Sequence, residues 1–236
     1  FRVLGSSNSI ACANIMLNAA VAESLKIYAD RLEQAEDFET ALNAMIKKTI
    51  RDHKRIIFNG NGYDDEWIRH ATEERGLCNY RTTADCIPHL MDKKNVDMLI
   101  SHNIFKEAEL KSRTEITLDN YNKAVIIEAN TMVNMARCEI APAVEEYIKE
   151  VAKTAALKKS VSDDLCCAYE NNLLKKLSAL TACISMAADE LAESLVKIGQ
   201  CDDTITTAET IRDVLLDKMS ALRVPCDEAE VFTART

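Results

Sequence analysis

Glycine and proline, the residues that most often interrupt a helix, number only five and three among 236. With so few breakers, and Ala, Leu, Lys, Glu and Met filling the long stretches between them, the composition favours helix throughout. No run of Lys and Arg is long enough to make a basic stripe, and the formal net charge is −9. A nucleic-acid surface therefore lacks its electrostatic footprint. An unbroken apolar run of the roughly 20 residues that a membrane span needs is missing too. The nearest candidate, Ile10 to Ala22, is interrupted by Asn14 and Asn18 and ends at Glu23. No C-x-x-C spacing occurs among the nine cysteines, which stand singly at 12, 78, 86, 138, 183, 201 and 226 with Cys166-Cys167 the one close pair. They read as small hydrophobes on helix faces in a reducing cytosol rather than as zinc ligands or disulfides. What is present, 47% hydrophobic and 28% charged residues, suffices for one core or two small ones in a soluble protein. The chain opens at Phe1 without an initiator Met and is expected to be a fragment, with any targeting signal upstream.

Phe1 to Leu4 alternates like a strand end and stops at Gly5-Ser6-Ser7-Asn8-Ser9, a polar turn that also offers helix caps. Apolar residues at Ile15, Ala19, Ala22, Leu25 and Leu32 then mark a helix. A second helix is expected from about Phe38 to Phe58, striped by Leu42, Ile46 and Ile50, until Asn59-Gly60-Asn61-Gly62 stops it. Asp64 and Asp65 favour the start of a helix that carries the only Trp, Trp67, and ends at Gly76. Thr82 to Asp85 resembles a capping box for a short helix through Leu90. Beyond it come two long periodic stretches, Ile116 to Val151 with a kink expected at Pro142, and a near-heptad seam from Leu165 through Tyr169, Leu173, Leu177 and Ile184 to Ile198. A last helix from Ile205 to Leu222 is expected to end at Val224-Pro225, leaving 226–236 as a tail without periodicity. Three long helices on short turns predict an antiparallel bundle.

Few residues invite chemistry. Asn59-Gly60-Asn61-Gly62 lacks the Lys-Ser/Thr of a phosphate loop and follows no strand, so a turn is the plainer reading. His53, His70, His89 and His102 lack ligand spacing and suit surfaces or helix ends. The seams supply bundle core, and the near-heptad positions include no inward Glu or His that could hold a cofactor. Glu107 and Glu109 fit a solvated face. Arg2, at a strand end before a Gly-Ser-Ser turn, is the one residue placed to offer a guanidinium fork to a carboxylate or phosphate.

Phe1-Arg2-Val3-Leu4-Gly5-Ser6-Ser7, followed by Asn14-Ile15-Met16-Leu17-Asn18 and Val21-Ala22-Glu23, resembles the F-R-x-L-G-S-S segment that closes the catalytic domain of type III glutamine synthetases. Arg55-Ile56-Ile57-Phe58-Asn59-Gly60-Asn61-Gly62-Tyr63 with Glu66-Trp67 resembles a second run of that family, R-I-I-F-N-G-N-G-Y and E-W. Arg81 to Asp85, Leu118 to Tyr121, and Glu128-Ala129 also look similar, while Ala13 stands where Pro is frequent and Cys226 to Thr236 departs from the family's tail. The resemblance implies a mainly α chain: the C-terminal end of an α+β catalytic domain (1–58), connecting short helices (59–104), a long antiparallel helical bundle as the type III extension (105–225), and a tail (226–236). It implies an ATP-dependent glutamate–ammonia ligase that forms γ-glutamyl phosphate and lets ammonia attack it. Arg2 matches the active-site Arg, catalytic and substrate-binding. The ligands of ATP and of Mg or Mn lie outside this chain, including a metal-binding Glu two residues upstream of Arg2. The fragment alone is expected to be inactive. Glutamate, ammonia and ATP are the implied partners of a cytoplasmic homo-oligomer, a dodecamer of two rings, with no nucleic acid and no membrane. A non-enzymatic helical module for interaction or assembly is the rival reading.

Overall fold

The computed structural model describes residues 9–233, and every regular element among them is helical. In order these are α1 (Ile10–Glu33), α2 (Phe38–Asp52), α3 (Asp65–Arg69), α4 (Thr83–Cys86), α5 (Lys93–Ser101), α6 (Glu107–Met135), α7 (Ala141–Val161), α8 (Ala168–Ile198), α9 (Thr204–Thr210) and α10 (Leu216–Phe232). They form two compact units, residues 9–81 with 85–114, and 82–84 with 115–233. The strand expected at Phe1–Leu4 and the site residue Arg2 lie outside the described residues.

In the first unit α1, α2 and α3 each begin where a side chain takes up orphan backbone donors. Ser9 accepts from Ala11 N at the start of α1, Asp37 from Glu39 N and Thr40 N at α2, and Asp64 from Glu66 N at α3. α2 stops at Asp52 rather than continuing to Phe58, and Lys54–Ile56 forms a single 3-10 turn. The cause is tertiary: the carbonyls of Arg55 and Ile57, which a helix would engage, accept from the Arg75 guanidinium at 3.1 and 3.0 Å. α3 widens into a π turn at His70–Glu74 and ends near Gly76, whose φ of +62° is the left-handed conformation that glycine takes without strain. Ala19, Leu99 and Leu110 make a small core, with Met16, Val96 and Phe105 packed against it. By length and composition α1 is apolar enough to cross a bilayer. That corrects the sequence expectation, because Asn14 and Asn18 interrupt the apolar run without adding charge.

The second unit is the bundle. Six residues join α7 to α8 and five join α8 to α9 (162–167 and 199–203), so the long helices return alongside one another. Val125, Ala129, Val144 and Val151 from α6 and α7 meet Leu173, Leu177, Ile184 and Leu191 of α8 and Leu215, Leu222 and Ala229 at or within α10. The break expected at Pro142 takes the form of a π turn at Ala136–Ile140, where Ala141 N donates to Ala136 O one register wide.

Three expectations fail here. Pro225 does not end the last helix: α10 runs through it to Phe232, so most of the expected tail is helical. Packing outweighs the lost Pro donor, since Ala229 is fully buried, Glu228 pairs with Lys176 at 3.0 Å, and the Lys176 ammonium lies 3.7 Å from the Phe232 ring centroid. The start of the α8 seam is also shifted by one residue. Tyr169 faces water and Glu170 faces inward, buried and paired with Lys158, so the seam does contain an inward carboxylate. The cysteines differ as well: only Cys167 is buried, Cys201 and Cys226 are half-buried, and the other six are exposed.

Candidate functional site

A polar and aromatic arrangement in the first unit is built by residues 54–76, which include the second family-like run up to Tyr63 with Glu66-Trp67. Phe58 stacks on Trp67 with ring centroids 3.6 Å apart and planes 14° from parallel. Because Phe58 occupies that face of the indole, the Arg75 guanidinium, 4.8 Å from the Trp67 centroid, takes the other. Arg75 Nε donates to His70 Nε2 at 2.9 Å while His70 Nδ1 lies 2.8 Å from Glu74 Oε2. Arginine can only donate, so His70 Nε2 is an acceptor and the ring proton sits on Nδ1, directed at Glu74. Arg55 returns the clasp at longer range, Nη1 to Arg75 O and Gly76 O at 3.5 and 3.4 Å. The π turn brings His70, Glu74 and Arg75 together on the indole's side of the chain.

The Asn59-Gly60-Asn61-Gly62 loop closes this clasp. A Cβ on Gly60 would meet the Phe58 ring at 2.7 Å, and the φ of +158° at Gly60 is itself one that L side chains rarely adopt. Phe58, Asn61, Asp64, Glu66 and Trp67 border a shallow cleft of about 360 Å³. Its three carboxylates, Asp64, Glu66 and Glu74, outnumber its one arginine, Arg69, which pairs with Glu73, and oppose a phosphate, while Asp64 already occupies the Glu66 N–H. The residues present therefore do not fit a nucleotide phosphate, and the loop is a turn, as its sequence suggests.

The four histidines are not brought together. His53 ends α2, His70 sits in the clasp, His89 stacks on Tyr80 at 4.3 Å and lies 3.0 Å from Asp92, and His102 Nε2 lies 2.8 Å from Glu23 Oε2. Among the described residues no three His, Cys, Asp or Glu side chains converge as a metal cage requires. Glu107 and Glu109 are exposed, and Glu109 Oε2 accepts from Lys106 N at 2.7 Å as a helix-start cap.

Sequence reasoning missed the Arg75 clasp and the bundle's buried polar groups. In the bundle Asn122 is buried and its Nδ2 donates to Thr204 O at 2.9 Å, which ties α6 to the start of α9. Glu170 is held by Lys158, whose hydrogen bond keeps the carboxyl below its ordinary range. A one-letter pattern contains no signal for Arg75, because its partners are backbone carbonyls 18 and 20 residues away.

Residues 41–159 match the family model for the glutamine synthetase C-terminal domain. A glutamine synthetase of Butyrivibrio fibrisolvens is 36% identical over 197 residues, 84% of this chain and 28% of that protein. A type-3 glutamine synthetase of Dictyostelium discoideum is 29% identical over 207 residues, 86% of this chain and 28% of its own length. The glutamine synthetase of Bacteroides fragilis is 29% identical over 202 residues, again matching 28% of that protein. The chain thus spans little more than a quarter of the length of these relatives. With the family model covering half of the chain and the relatives most of it, the chain belongs to the glutamine synthetase family and carries its C-terminal domain.

Proposed function

We propose that the chain is the C-terminal part of a glutamate–ammonia ligase, in which glutamate is phosphorylated by ATP to γ-glutamyl phosphate and ammonia displaces the phosphate to give glutamine. The observation that carries this reading is the match of residues 41–159 to the family's C-terminal domain, downstream of the F-R-V-L-G-S-S run at residues 1–7. In it Arg2 faces the reacting glutamyl phosphate, where a fixed guanidinium offsets developing negative charge. ATP and Mg or Mn are held by residues beyond this chain, which by itself makes no glutamine. The ligase works in the cytoplasm as a homo-oligomer of stacked rings.

The test is steady-state glutamine formation by the complete ligase polypeptide with Arg2→Ala. Loss of one such donor costs about 3 kcal/mol, or on the order of a hundredfold in rate. Arg2→Lys recovers only part, because a point charge does not reproduce the fork. Unaltered kinetics for Arg2→Ala would remove Arg2 from the site.

A second reading is favoured for the bundle alone. Its apolar stripes face inward, and among the described residues no three His, Cys, Asp or Glu side chains on it converge as a metal cage requires. The bundle is architectural and governs how subunits meet.

A further inference from the structure

Cys166 and Cys167 are the close pair in sequence, yet they are poorly placed to join. Adjacent Cα atoms stand about 3.8 Å apart, inside the span of roughly 4.4–6.8 Å that a disulfide takes up, and Cys167 is buried. Cys12, Cys138, Cys183, Cys201 and Cys226 stand on five separate helices or turns. Cys78 and Cys86 differ from all of these. Both are exposed, and the chain between Leu77 and Asp92 gathers them around one aromatic pair.

In the non-helical stretch after Gly76, Cys78 is hydrogen-bonded to the hydroxyl of Tyr80. The chain then turns back through the short α4, and the Tyr80 ring stacks on His89 with centroids 4.3 Å apart and planes 22° from parallel. Cys86 leads into the 3-10 turn Ile87–Met91, in which residues three apart eclipse, so it shares a face with His89. One thiol thus stands at the Tyr80 hydroxyl and the other on the face of its stacking partner. His89 is fixed in turn: Nδ1 lies 3.0 Å from Asp92 Oδ2, and its carbonyl accepts from Asn95 Nδ2 at 2.7 Å. A carboxylate only accepts, so in the neutral ring the proton sits on Nδ1 and Nε2 keeps a lone pair. The electrostatics agree with this clustering. The hydrogen bond with Cys78 pushes the Tyr80 phenol up from its ordinary range, and Asp92 and Cys86 add to the effect.

We propose that Cys78 and Cys86 are a reversible redox pair, which hydrogen peroxide closes to a disulfide within the chain. The first sulfur attacks a peroxide oxygen and the O–O bond breaks; the departing hydroxide takes the thiol proton as water and leaves a sulfenic acid. The second sulfur attacks that sulfur, the S–O bond breaks, and the hydroxyl leaves with the second thiol proton as another water. Two thiols are oxidised to one disulfide, and one peroxide is reduced to two waters. A thiol reductant reopens the bond by exchange. Exposed, switchable pairs are the kind of disulfide that a reducing compartment permits. The pair rests on neither the family reading nor the ligase chemistry.

In the experiment the reduced chain is treated with hydrogen peroxide at neutral pH, its remaining thiols are blocked with iodoacetamide, and trypsin is applied without reductant. Cleavage after Arg75, Arg81 and Lys93 puts Cys78 on peptide 76–81 and Cys86 on peptide 82–93, so the disulfide appears as one linked species that dithiothreitol splits. The expected result is that this species forms in monomeric chain at least tenfold faster than Cys183, the exposed reference thiol on α8, is oxidised. It should also form at least tenfold faster than in denaturing urea, where the Tyr80–His89 stack is lost. Recovery of Cys78 and Cys86 as free thiols while Cys183 oxidises overturns the proposal. So does a link between two chains, or an equal rate in urea.

Discussion

Arg75 is the residue whose replacement tests the clasp most sharply. Its side chain makes three hydrogen bonds, to His70 Nε2, Arg55 O and Ile57 O, at 2.9 to 3.1 Å, and lies over Trp67. Lysine keeps the charge but not the fork, so Arg75→Lys retains at most one of these contacts. Bonds from a charged donor contribute about 1.5–3 kcal/mol each when buried, and less at a half-exposed site. The loss is therefore about 2 kcal/mol, and it falls on residues 54–76 rather than on the bundle. The assay is direct because Trp67 is the only tryptophan, so its fluorescence reports this clasp alone. At a urea slope of about 1 kcal/mol per molar for a small segment, the fluorescence midpoint should fall by about 2 M. Helicity at 222 nm, dominated by the bundle, should keep its midpoint. A fluorescence midpoint unmoved by both Arg75→Lys and Arg75→Ala would refute the clasp.

Pro225→Ala should stabilise the bundle by about 2 kcal/mol, because an interior Pro is about 3 kcal/mol worse than Ala and stiffens the unfolded chain by less than about 1; a calorimetric Tm raised by about 5 °C is expected, and no rise would mean that α10 is broken there in solution. Glu170 gives the bundle an acid limb. The hydrogen bond from Lys158 holds its carboxyl below the ordinary range, so its contribution is present above the unfolded pKa of about 4.3 and is lost as pH falls through the lower folded value. Glu170→Gln should therefore weaken the bundle near neutrality and flatten that acid limb in urea titrations; parallel pH curves for the two proteins would exclude the pair from it.

The bundle was legible because its helices are long, periodic and self-covering. Leu173, Leu177, Ile184, Leu191 and Ile198 stand at positions that periodicity alone assigns to a core, and all are buried. Legibility ended where a neighbour decides. Tyr169 and Glu170 are adjacent, and hydrophobicity favours the tyrosine for the core; Lys158, twelve residues away, makes the glutamate the buried one. Local pattern extends the second helix to Phe58, and the Arg75 clasp converts that stretch into a turn and a stacked ring. The same holds for Pro225, which ends a helix by its own chemistry but not against the contacts of Glu228, Ala229 and Phe232. Arg2, which the family resemblance singles out, lies outside the described residues.

The contrast between the two units gives the architectural reading its test. The bundle's core runs from Val125 to Ala229 without help from outside its own unit, whereas the first unit keeps a core of Ala19, Leu99 and Leu110 and leaves two apolar stripes open. A cut through α6 must respect this. Leu110 belongs to the first unit's core and Thr114 Oγ1 donates to its carbonyl at 3.0 Å, so a ligase polypeptide should end just after Thr114 rather than at the helix start. Such a protein keeps the first unit, its exposed apolar stripes and Arg2, and loses only the bundle. If the bundle governs subunit contacts, light scattering of the shortened ligase should show a smaller assembly, while each subunit still binds glutamate. A native oligomer mass with an unchanged Tm would remove the architectural role and leave the bundle as a binding module for some other partner.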